Sequence, residues 1–169
     1  VTFVTDPLAK AKYNMTVNVV PVPGETNTGN NALSTRTVVD DIIKVPEDFA
    51  NIQEAVDASR PGDTISVARG FYSEEVFIYT EDLTIYGEAN NQTALYGDFL
   101  VYANDVHIRN FDHTSGGVGF YGVRNGLVEN SYFESGSPAF LVSNGENITY
   151  RNCVSYGFLW NVILLNSSN

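Results

Sequence analysis

Four short strings recur along the second half of the chain, and their spacing constrains the fold more than any other feature. Leu83–Gly87 (LTIYG), Val106–Asn110 (VHIRN), Gly126–Asn130 (GLVEN) and Ile148–Asn152 (ITYRN) end 23, 20 and 22 residues apart. A second line through Phe99, Phe120, Phe140 and Val162 advances by 21, 20 and 22. Two registers moving together define a repeat of about 21 residues. With some three short strands per repeat, that is one turn of a parallel β-helix, in which residues one period apart stack at about 4.8 Å.

Stacking assigns a role to each position of the string. Ile85, Ile108, Val128 and Tyr150 form an interior file, each burial contributing about 1.5–3 kcal/mol before its costs. Asn110, Asn130 and Asn152 form an inward or turn-lining ladder whose carboxamides satisfy neighbouring backbone groups. One residue earlier, Tyr86, Arg109, Glu129 and Arg151 point outward, and Glu129 is expected between two arginines, a surface ladder contributing about 0.2–1 kcal/mol per pair. Two residues past the asparagines, Tyr132 and Val154 suit an inward position but Asp112 does not. Either Phe111 turns inward there or a bulge changes the phase.

Upstream of the repeat, Asp48 to Arg60 reads as the one helix, spanning about 49–59. Ile52, Ala55, Val56 and Ser59 share a face, and Gln53, Glu54 and Asp57 face water. Asp48 or Asn51 caps its start, and Pro61-Gly62 stops it. Residues 1–43 carry no repeat. A turn-rich stretch from Pro21 to Asn31 separates candidate strands Tyr13–Val20 and Thr35–Val39, and the first alternates Tyr13, Met15, Val17 and Val19 with polar residues. These read as an extended N-terminal arm beside a β-helix domain over 44–169.

Composition narrows the partners. Twenty acidic against nine basic residues give a net charge of -11, which argues against nucleic acid and anionic membrane. No apolar run reaches membrane-spanning length. Cys153 is the one cysteine, so there is no intrachain disulfide framework. Sequons at Asn14, Asn91, Asn147 and Asn166, with a first residue other than methionine, lead us to expect a processed extracellular or cell-surface protein bearing glycans.

The stretches Val45–Ala58 (VPEDFANIQEAVDA) and Arg60–Val76 (RPGDTISVARGFYSEEV) resemble the opening of right-handed parallel β-helix proteins of the pectin-lyase-like superfamily. They are similar to the start of pectinesterases and NosD-like proteins. The resemblance is close over about 44–87 and rests on repeats beyond. It implies that the helix plugs the N-terminal end of the solenoid and that the coil is right-handed. The catalytic residues of pectinesterases do not carry over: the chain has only Gln53 and Gln92 as glutamines and lacks the aspartate and arginine segments of that site.

Other chemistry finds little support. His107 and His113 fail zinc spacing, Cys153 has no base partner, and Gly116–Gly119 is a turn rather than a phosphate cradle. No cofactor is expected. Calcium is the one ion the acids Glu74, Glu75, Glu81, Asp82, Glu88, Asp98 and Asp105 would suit. Exposed tyrosines serve a glycan groove or a protein interface equally well.

The expected fold is therefore all-β, a short right-handed parallel β-helix of about five coils with an N-terminal capping α-helix and an extended N-terminal arm. A solenoid has two ends to cover. The hydrophobic run from Trp160 through Val162 and Leu164 has no second helix behind it. Strand exchange between the arm (Tyr13, Met15, Val17, Val19) and this open end would yield a homo-oligomer or head-to-tail polymer. A carbohydrate-binding or tail-spike-like recognition module is the alternative, with a polysaccharide lyase or esterase behind it.

Overall fold

The structure is a computed structural model that describes residues 11–39, 42–88, 92–134, 138–157 and 161–167, with 11–15 and 35–39 described by backbone alone. The chain divides into two compact units, Val1–Asp41 and Ile42–Asn169.

The second unit is a right-handed parallel β-helix of about five coils. Strands, numbered in chain order, fall into three parallel sheets. The first sheet holds β3 (Ile42–Val45), β4 (Thr64–Val67), β7 (Thr84–Gly87), β10 (His107–Arg109), β13 (Leu127–Glu129) and β16 (Thr149–Arg151). The second holds β5 (Gly70–Ser73), β8 (Thr93–Tyr96), β11 (Asp112–Ser115), β14 (Tyr132–Glu134) and β17 (Val154–Tyr156). The third holds β6 (Val76–Ile78), β9 (Phe99–Val101), β12 (Val118–Tyr121), β15 (Phe140–Ser143) and β18 (Val162–Leu165).

Register follows the repeated string on the first sheet. Ile43, Ile65, Ile85, Ile108, Val128 and Tyr150 stack in that order, and the first five are buried. The line through the phenylalanines is corrected. Phe99 pairs with Val118, Val118 with Phe140 and Phe140 with Val162, whereas Phe120 belongs to the adjacent inward file with Val101 and Val142. Both files face the core because they lie two residues apart, so hydrophobicity alone does not separate them.

The second sheet resolves the clash at Asp112. Phe111 turns fully inward, while Asp112, Tyr132 and Val154 stack as an outward row, so Tyr132 and Val154 do not point inward. The register also shifts between His113 and Ser115. His113 itself is buried and lies flat on Phe133 at 4.4 Å between centroids, with Phe99 edge-on at 5.7 Å.

Helix α1 (Ile52–Ala58) is shorter than its apolar pattern. Asn51 caps it by accepting from the Glu54 amide at 2.8 Å. Asp48 instead accepts from the Lys44 amide at 2.9 Å, and Ser59 is the C-cap, its hydroxyl bonded to the Val56 carbonyl at 2.7 Å. Gln53 does not simply face water. Its amide oxygen accepts from the Phe77 N–H at 2.6 Å and its amide nitrogen donates to the Phe77 carbonyl at 3.2 Å. One side chain thus supplies the two bonds that a neighbouring strand would give the edge of β6. Glu74 returns the tie by accepting from the Ile52 and Gln53 amides at 3.0 and 2.9 Å.

In the first unit the two candidate strands pair with each other. β1 (Ala11–Asn18) and β2 (Ala32–Val39) form an antiparallel hairpin with Val17 opposite Leu33. Thr16 and Ser34 share a hydroxyl hydrogen bond at 2.9 Å. Glu25 closes the connecting loop by accepting from the Val22 amide and the Asn31 carboxamide at 3.2 and 3.0 Å. Val17 and Leu33 are 57% and 72% exposed.

Candidate functional site

The alternation that buries one side chain of each strand turns the next outward, so each sheet presents a separate outer face. The face of the first sheet carries charge. Glu129 accepts from Arg151 at 2.7 Å (Nη2) and 2.8 Å (Nε), and its other oxygen meets His107 Nε2 at 3.1 Å. Desolvation opposes its charge, but Arg151 and His107 outweigh that and hold its carboxyl below the ordinary range. The expected alternation is only half realised, because Arg109 stacks over the Tyr86 ring at 5.1 Å instead of pairing with Glu129. Partial burial pushes His107 down against the pull of Glu129, which favours a neutral imidazole.

The second face is mixed. Phe71 and Tyr96 are exposed with rings 6.5 Å apart, and Asp112 lies further along, its carboxyl pushed up by burial and then by Glu134.

On the third face the outward strand positions carry no charge. One outward row runs Phe77, Leu100, Gly119, Leu141 and Ile163. Beside it lie Tyr79, Tyr102, Tyr121, Ser143 and Leu165. The three tyrosines stack on one another at 5.2 and 5.1 Å with planes 16° and 17° apart. A groove of about 510 Å³ adjoins Tyr79 and Tyr102, bordered by Arg60, Glu81 and Asn104. Further along, a hollow of about 130 Å³ opens at Gly119 between Leu100, Leu141, Tyr121 and Pro138, with Asp98 also lining it. A Cβ at Gly119 would stand 2.8 Å from the Tyr121 ring, so the missing side chain is what lets that ring lie across the sheet.

The ladder asparagines line a turn rather than the interior. Asn110, Asn130 and Asn152 have φ of 63°, 51° and 53°. Asn110 donates to the Gly87 carbonyl and Asn152 to the Asn130 carboxamide oxygen, both at 3.3 Å. The sequon residue Asn147 belongs to a second such ladder, donating to Asn125 at 2.8 Å, which accounts for it without a glycan. Asn166 is exposed at φ 48°. Asn91 and Trp160 lie outside the described residues, as do the side chains of Tyr13, Asn14 and Met15.

Several acids suited to calcium are engaged elsewhere. Besides Glu74 at the helix, Asp98 accepts from the Gly117 amide, Glu88 from the Ser66 hydroxyl and Asp105 from Asn125. Among the described residues no three metal-ligating side chains converge. Burial raises the Cys153 thiol, which keeps it protonated and inert as a nucleophile.

In the last described coil, Val162 and Leu164 occupy inward files yet are 50% and 63% exposed. β16, β17 and β18 are the outermost strands of their sheets among the described residues. Hydrophobic periodicity had pointed to this layer. The uncharged third face was not read from the sequence, although its signal was present: five strands whose outward positions hold no Asp, Glu, Lys or Arg. No family model, curated protein or solved structure matches the chain.

Proposed function

We propose that the chain is a structural subunit of an extracellular homopolymer, a filament or surface layer, built on a pectin-lyase-like β-helix. The observation that carries this reading is the last described coil, where β16, β17 and β18 have no further strand beside them among the described residues and Val162 and Leu164 stand 50% and 63% exposed. An edge of this kind templates pairing with another chain. The β1–β2 hairpin has a free outer edge on each strand among the described residues and exposed Val17, Val19 and Leu33, which suits it to lie on such a layer as a hairpin rather than as a single donated strand. Head-to-tail repetition of that contact yields a filament.

Sedimentation velocity and electron microscopy of the full chain test this. Particles should lengthen with concentration, and Val162→Lys with Leu164→Lys should arrest growth. A monomer that persists at high concentration overturns the reading.

A carbohydrate-recognition module is the second reading, favoured by the groove beside Tyr79 and Tyr102 with Asn104 and Glu81 at its border. Glycan-array binding lost in Tyr79→Ala would support it.

A further inference from the structure

We propose that the uncharged outer face of the third sheet is where two copies of the chain pack side by side, each copy's Leu100 seated in the hollow above the other copy's Gly119. This rests on the assembly reading for its partner, a second copy, but uses the side of the solenoid rather than its end.

Charge selects the face. A chain of net charge -11 repels its own copies, and burying an unpaired carboxylate between them would be costly. The first sheet presents His107, Arg109, Glu129 and Arg151, and the second Asp112 and Glu134, whereas the ten outward positions of the third hold no ionised group. Two such faces approach to the ordinary sheet-to-sheet distance of about 10 Å with no ionised group among those ten positions, and the one carboxylate at the hollow, Asp98, is already bonded to the Gly117 amide.

Shape selects a second copy as the occupant. Along the central row the side chains run Phe77, Leu100, Gly119, Leu141, Ile163, so a knob stands next to a hollow. A two-fold axis parallel to the strands, lying between the rows of β9 and β12, reverses the row order and keeps position along the strand. Leu100 then faces Gly119, Phe77 faces Leu141 and Tyr102 faces Tyr121, an isologous contact satisfied twice. A glycan fits this face less well. Sugar rings stack on aromatic faces, and those of the three tyrosines are turned toward one another at 5.1–5.2 Å.

The border gives the pairing a signature. Asp98 lines the hollow and Glu81 the neighbouring groove, so the borders of two copies repel. Screening shortens from about 10 Å at 0.1 M salt to about 3 Å at 1 M, so association should strengthen as salt rises.

Sedimentation equilibrium of the full chain from 0.05 to 1 M sodium chloride tests the proposal. A dimer is expected whose dissociation constant falls at least several-fold over that range. Leu100→Asp and, independently, Leu141→Asp should weaken it at least 100-fold with unchanged circular dichroism and thermal midpoint, since both side chains point away from the core. Val162→Lys with Leu164→Lys should leave the dimer intact. A dimer without longer polymers would remove the end-to-end reading and keep this one. Association lost only through the Val162 and Leu164 variant, association that weakens with salt, or a monomer throughout would overturn the side-by-side pairing.

Discussion

Among the described residues, nine other than glycine hold a left-handed backbone, and all nine are Asn or Asp. These are the side chains that enter this region most readily, because a short polar group bonds locally and offsets the Cβ crowding. The coil needs such a residue at its corners, and stacking then puts the carboxamides in line, as in Asn147 to Asn125 and Asn125 to Asp105 at 2.8 and 2.9 Å. Asn130→Ala should therefore cost about 1–2 kcal/mol in urea unfolding, while Asn130→Gly stays near neutral. His113 gives a pH-dependent counterpart. Burial lowers it from 6.5 to about 3 in the folded chain, so between those values the unfolded chain binds the extra proton. Stability is then complete above pH 6.5 and drains as pH falls. From pH 7 to pH 5 the native chain should lose about 2 kcal/mol more than His113→Phe, which keeps the stack on Phe133 but cannot titrate. Urea unfolding at the two pH values reads this directly.

At the level of elements, helix α1 is tied to the first coil by two side chains rather than by its apolar stripe alone. Gln53 bonds both backbone groups of Phe77, and Glu74 bonds two helix amides. Gln53→Leu leaves that strand edge unpaired and should cost about 1–3 kcal/mol, with amide exchange at Phe77 accelerating ahead of exchange in β10 or β13. This exchange between helix and strand was not legible in the sequence, because Gln53 and Glu74 read as surface polar residues until the helix is laid across the coil. The stacking of the four strings was legible, since an apolar residue and an asparagine recur at fixed offsets. The phenylalanine line was not: Val118 and Phe120 both face inward, and variable turns let the eye follow the larger side chain. His113 escaped for a related reason. A polar residue type hid an inward position that its alignment with Phe133 would have disclosed.

For the β-helix as a whole, stability is carried by contacts between successive coils, so each layer depends on its neighbours. Tyr150 illustrates this dependence. It continues the interior file and packs on Phe140 at 4.1 Å between centroids, while the inward-file residues Val162 and Leu164 in the same coil stand half or more exposed. The sequence located this layer through its hydrophobicity and the repeat. It did not reveal which lateral face lacks charge, because that face is assembled from alternate outward positions of five strands some 20 residues apart, whereas the repeat is carried by the inward ones. The tyrosine column on that face has an optical consequence. Three phenol rings held nearly parallel about 5 Å apart couple electronically, so near-ultraviolet dichroism records the pitch of the spiral without any attached label. Stretching or loosening the middle coils would dim that signal before the backbone itself lets go.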